Sequence, residues 1–259
     1  MQCHSPLPFK IKSLRGTRQG RTIQCSKRSE RVLRQRGSRS VHSTLGWTRR
    51  PQALFAGLTQ AGDERRLLLW SAHEADQKIL AGTTLTGELP ISDASAERFG
   101  VYLNDATGAK MDTYLDVHIG LGEVSCRQDG RPHYAVDVTL SNTAPADAAI
   151  ALPASVTGGG YYGVAPGNVK TLILVYGPKD AQNIGVTRAG EKIPYHPATD
   201  NGYPVSQMSV ELAPGEFSTT RVYMLGGSQA HGELVAVSTP VVKMHETQSV
   251  EVSCESALG

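Results

Sequence analysis

The chain has 259 residues and a mass of 27.7 kDa, 39% hydrophobic and 19% charged, long enough to bury one large core or two small ones. That balance excludes a membrane bundle and a disordered acidic chain, and no apolar run approaches the roughly 18 residues needed to span a bilayer. The formal net charge of +2 conceals two unlike pieces: residues 1–50 carry 13 of the 26 Lys and Arg against one acid, Glu30, whereas the rest carries 13 against 23 acids, a net of −10.

Residues 1–50 hold ten Arg, three Lys and seven Ser, with apolar residues at no helical or strand period. So charged a segment cannot bury enough surface to offset the entropy of ordering, and it reads as disordered. Three roles fit: an arm for nucleic acid or an anionic membrane, an Arg-rich organellar targeting segment, or none. A fourth reading is that the stretch is G+C-rich DNA translated from a wrong start. No nucleic-acid partner is expected unless this segment is genuine.

Residues 51–98 read as a helix-strand-helix remnant of an upstream α/β domain. Pro51 suits a first helical turn, and Leu54, Phe55 and Leu58 share a face before Gly62. Leu67-Leu68-Leu69-Trp70 then predicts a strand buried on both faces. Ser71 and Glu74 have the spacing of a capping box opening a second helix through Ala75, Ile79 and Leu80, which ends at Gly82.

From Phe99 to 259 alternation of period two dominates. Leu115, Val117, Ile119 and Leu121 alternate with Asp116, His118, Gly120 and Gly122, and Tyr134, Val136, Val138 and Leu140 form a second such run. The turn residues 128–132 between them predict an antiparallel hairpin. Further strands are predicted at 171–176, 184–188, 207–212, 217–225, 233–239 and 249–254, with a tight Pro-Gly turn at 212–216. The fold class is therefore mainly β: a two-sheet antiparallel β-sandwich, Ig-like, over 99–259.

The sequence holds few signatures of chemistry. The four cysteines have no zinc spacing. Cys126 and Cys254, however, each close an identical Glu-Val-Ser-Cys tetrapeptide at the end of a predicted strand. Val124 and Val252 share a face with them, and if those are core faces the two sulfurs meet at the rim of the sandwich. A bridge would stabilise by at most roughly 5 kcal/mol and requires an oxidising location; two small buried thiols are the alternative. Gly158-Gly159-Gly160-Tyr161-Tyr162-Gly163 lacks every phosphate-loop signature, leaving either a plain connection or a surface loop whose Tyr161 and Tyr162 stack on a ligand or partner. Asp105, Asp112 and Asp116 lack cation-loop spacing and read as turn and surface residues. His118, His133, His196 and His231 have no nucleophile-elbow partner, and His196 and Asp200 read as turn residues. No catalytic residue, cofactor site or metal site is predicted.

Four phrases in order, Arg66 to Ala72, Leu103 to Asp112, Val138 to Pro145 and Val210 to Glu216, carry a family likeness. Over about residues 51–254 the chain resembles the C-terminal part of actinobacterial proteins with the uncharacterised DUF4012 domain. That resemblance implies a cell-envelope protein with an N-terminal transmembrane anchor and a large extracytoplasmic region, and no established reaction. Anchor and most of the domain are not in this sequence, which implies a fragment or a misassigned start.

The leading expectation is a non-catalytic, extracytoplasmic β-sandwich module of a cell-envelope protein, partnered by cell-wall glycan or an envelope protein. The alternative is the C-terminal fragment of an envelope-polymer, glycan-related enzyme whose catalytic region lies upstream.

Overall fold

A computed structural model describes residues 51–227 and 232–254. The basic segment 1–50, with Cys3 and Cys25, lies outside the described residues, as does His231. The chain divides at Phe55 and Ala56, and every strand belongs to the second unit, Ala56–Gly259.

Two helices, α1 (Pro51–Asp63) and α2 (Glu74–Leu80), form where the apolar spacing and the first-turn proline place them. The segment between them departs from expectation. Leu67 to Trp70 is extended but pairs in no sheet; Leu69 N–H donates to the Leu85 carbonyl (2.8 Å), and Trp70 is 80% exposed. A four-residue apolar run has no period to read, and here no strand lies beside it to bury it. Nor does Ser71 cap α2. His73 is the N-cap, and the Ser71 hydroxyl instead accepts from His73 N–H (3.1 Å) and donates to Asp76 Oδ2 (3.0 Å).

The strands are β1 (Ala96–Asp105), β2 (Leu115–Ser125), β3 (Pro132–Asn142), β4 (Val169–Tyr176), β5 (Gln182–Arg188), β6 (Glu191–Lys192), β7 (His196–Asp200), β8 (Tyr203–Leu212), β9 (Phe217–Leu225), β10 (Glu233–Ser238), β11 (Lys243–Met244) and β12 (Gln248–Ser249). One sheet runs β10-β1-β4-β8-β7; the other runs β11-β2-β3-β9-β5-β6, with β12 also on β2. β1 begins at Ala96, inside the stretch read as an α/β remnant. His196 to Asp200 is a strand rather than a turn: the turn is Asn201-Gly202, whose positive φ angles of 50° and 86° suit a two-residue hairpin.

The protein is mainly β, and its two sheets face each other across one core. β4 alternates buried and half-buried residues along its whole length, as a strand with one face inward must. Phe99 of β1 meets Tyr134 of β3 edge to face at 5.1 Å, and Val101, Ile173 and Val175 from one sheet pack with Val117, Val136, Val138 and Val222 from the other. Such an aromatic pair contributes about 0.5–1.5 kcal/mol beyond its area. At the end of β3, Asn142 is 1% exposed and fully bonded: its Nδ2 donates to the Gly167 and Leu212 carbonyls, and its Oδ1 accepts from Ala144 N–H. Its backbone also exchanges hydrogen bonds with Gly215 and Glu216, so the 138–145 and 210–216 phrases meet at this residue.

The sheets are mixed, not antiparallel throughout. β10 runs parallel to β1, and both β11 and β12 run parallel to β2. The expected strand 249–254 is regular only at 248–249. Beyond Ser249 the chain rises over the outer face of β2, where a Cβ on Gly120 would strike the Val250 side chain and one on Gly122 its carbonyl. Glycine at these two positions is what admits the terminal segment.

Candidate functional site

Cys126 and Cys254 form a disulfide with Cα atoms 5.5 Å apart. The sulfurs do not point into the core. The buried face of β2 carries the odd-numbered residues Leu115 to Leu121, so Val124 and Cys126 belong to the outer face, and Cys254 is exposed. The bridge staples the terminal segment to the outside of the sheet.

Tyr161 is 88% exposed, and Tyr162 is half turned inward, its hydroxyl against Gly108. The Gly-rich loop thus rests on the turn after β1, and Lys110 N–H donates to the Val156 carbonyl (2.8 Å). In that turn Asp105 Oδ1 accepts from the Thr107 N–H and hydroxyl (2.8 and 2.7 Å), and Thr107 Oγ1 accepts from Ala109 N–H. Asp105 is a turn-former, as side chains of its type are when they bond backbone two residues on. Asp112 shares a small cleft with it; burial first, then the Asp105 charge, raises the Asp112 pKa. Asp116 is not part of this group.

Asp116 stands instead with His118 and His245. The Asp116 and His118 side chains share the outer face of β2 by the two-residue period. The parallel register Lys243↔Asp116 and Met244↔Val117 carries His245 next to His118. The two imidazoles stack with centroids 3.7 Å apart and planes at 8°, and Asp116 Oδ1 lies 2.8 Å from His245 Nε2 and 3.5 Å from His118 Nε2. One ligand atom from each of the three falls within 4.8 Å of the others. Sequence reasoning missed His245. The Asp-x-His spacing was the visible half of the signal; a parallel pairing has no local turn to reveal its partner.

A cleft of about 440 Å³ opens beside Asp93, Glu97, Lys179, Asp180 and Tyr203. Glu97 is 5% exposed, and its Oε2 has no hydrogen-bond partner among the described residues. Lys179 holds its ammonium 4.9 Å above the Tyr203 ring, and the Ser95 hydroxyl and N–H, with Arg98, hold the Asp93 carboxyl well below the usual carboxylate range. Burial first, then the Glu97 and Glu123 charges, pushes the Tyr134 phenol above its ordinary value. His133, read as a candidate without a partner, is buried on β3; His196 pairs in β7 away from Asp200, whose carboxylate accepts from the Tyr176 hydroxyl (3.2 Å).

No family model matches the chain, and no curated protein does. Among solved structures, a Legionella pneumophila protein with a provisional nutrient-binding assignment aligns over 52% of this chain and 45% of its own, at 10% identity and TM-score 0.29. A two-domain M1 zinc metallopeptidase mutant bound to L-tryptophan aligns over 48% of this chain and 23% of its own, at 14% identity and TM-score 0.23. A Deinococcus radiodurans M1 zinc metallopeptidase mutant bound to a Tyr-Ser-Ala substrate covers the same shares at 17% identity and TM-score 0.21. The chain spans less than half the length of each, and likenesses this low carry no argument about fold or function. Among the described residues no helix is long and apolar enough to cross a membrane.

Proposed function

We propose that residues 51–259 act as a non-catalytic, extracytoplasmic β-sandwich module of a cell-envelope protein. The observation that carries the reading is the Cys126–Cys254 bridge, since structural disulfides persist where the compartment is oxidising. The resemblance to DUF4012-bearing proteins and the −10 charge of the same residues support it. The chain's partners in this role are cell-wall glycan or another envelope protein, and the exposed Tyr161 ring is the surface group suited to stack on a sugar.

A second reading, that the chain is the C-terminal part of an envelope-polymer enzyme with its catalytic region upstream, draws on the exposed Leu68, Leu69, Trp70 and Ile79. Exposed apolar residues gathered in one stretch are what a normally covered surface presents.

Labelling of intact cells that make the full-length chain with a membrane-impermeant amine reagent tests the location. Labelled Lys170, Lys179 or Lys192 before lysis is the expected result. Labelling only after lysis overturns the reading.

A further inference from the structure

The strongest unexplained arrangement is the one on the outer face of β2. Two imidazoles lie face to face and turn their Nε2 atoms toward the same carboxylate oxygen. Hydrogen bonding alone accounts for only part of this. His245 Nε2 sits at hydrogen-bond distance from Asp116, whereas His118 Nε2, at 3.5 Å, is too far for a good one. Nothing buries the group and forces it together: all three side chains retain contact with solvent.

We propose that Asp116, His118 and His245 form a binding site for one divalent transition-metal ion, zinc foremost. Imidazole and carboxylate donors suit zinc rather than calcium or magnesium, which take oxygen ligands, and three protein ligands with one open position is an ordinary zinc arrangement. Bonds of about 2.0–2.2 Å in a tetrahedron separate donor atoms by about 3.3–3.6 Å. Of the present separations from the carboxylate oxygen, 3.5 Å falls in that range and 2.8 Å somewhat below it. Because an imidazole lone pair lies in the ring plane, the stacked rings must tilt toward each other to share an ion. Rotation about the soft terminal torsion of histidine accomplishes that without moving backbone. Water takes the fourth position on the solvent side. Lys243, opposite Asp116 in the register, does not compete, since its ammonium donates to the Thr143 hydroxyl (2.7 Å).

The backbone holds His245 in place. Its N–H donates to the Val117 carbonyl (3.3 Å), and immediately after it the pairing slips: Met244 pairs with Val117 but Gln248 with Gly120, so three residues of the terminal segment oppose two of β2. Such a bulge re-aims the side chains beside it. The ion would therefore clasp the segment 243–254 to β2 at its start, as the disulfide does at its end.

Zinc binding to the full-length chain by calorimetry, with the disulfide intact, tests the proposal. Comparison among variants separates this site from Cys3, Cys25 and the other histidines. One equivalent of zinc in the wild type should weaken at least about tenfold in His118→Ala and in His245→Ala, since loss of even an outer-shell partner has that effect. His196→Ala should leave it unchanged. Cobalt in the same site should show ligand-field bands without the thiolate charge-transfer absorption that Cys3 or Cys25 would give. Zinc should also slow proteolysis of the 243–254 segment in the wild type and not in His245→Ala. Should either histidine variant fail to fold, His118→Gln and His245→Gln, checked by their melting midpoints in chelator, replace them. Equal zinc affinity in wild type and both histidine variants, or a loss shared by His196→Ala, overturns the proposal.

Discussion

Cys254 is bonded to Cys126 at the same sequence offset by which Gln248 pairs with Gly120. The bridge spans 128 residues, and that separation is also the offset between β12 and β2. The bond joins the last residue of each of the two identical Glu-Val-Ser-Cys tetrapeptides.

A loop that long gives a disulfide much unfolded-state entropy to remove. The double substitution Cys126→Ser/Cys254→Ser should lower unfolding free energy by about 2–4 kcal/mol. Urea unfolding of both forms measures it, with the wild type in reductant expected to match the variant. An unchanged midpoint would show that the terminal segment contributes nothing to the folded body.

Asn142 closes three buried backbone groups at once, the Gly167 and Leu212 carbonyls and the Ala144 N–H. Replacing it with Leu keeps the branching and the heavy-atom count and removes the side-chain partner of all three. Each buried orphan costs about 1–3 kcal/mol, so Asn142→Leu should destabilise by about 3 kcal/mol or more. Thermal unfolding followed by circular dichroism reads this; a loss within about 0.5 kcal/mol, the range of an ordinary surface change, would contradict it.

His133 is 3% exposed, and its Nδ1 has no partner among the described residues. Burial first, then the Arg127 charge, holds its pKa below the ordinary 6.5. The unfolded chain thus takes up a proton that the folded chain resists. Stability from this group is complete above pH 6.5 and declines as pH falls toward the folded value. His133→Gln should flatten the slope of unfolding free energy below pH 6.5 relative to the wild type. Parallel slopes in the two proteins would contradict the assignment.

The central strands were legible because each has one face in the core and one in water, which writes period two into residues such as Leu115 to Leu121 and Val169 to Val175. Leu67 to Trp70 misled because apolar character alone carries no period. Ser249 to Cys254 misled for a different reason: its alternation is real, but the segment climbs over Gly120 and Gly122 instead of continuing the ladder. The Asp116–His118–His245 group stayed hidden because it depends on a parallel pairing between residues 127 apart, and a crossover of that length has no turn chemistry to announce it. Asn201-Gly202 was a readable hairpin signal that sequence analysis passed over.

A chain that folds and works in an oxidising compartment keeps its Cys126–Cys254 bridge in the cell. The most direct measurement is thiol trapping in cells that make the full-length protein: rapid acid quenching, alkylation of free thiols, then digestion without reductant and mass analysis. Cys126 and Cys254 should resist alkylation and appear in one linked peptide pair that separates only on reduction. Recovery of both as alkylated thiols, without prior reduction, would contradict an extracytoplasmic role.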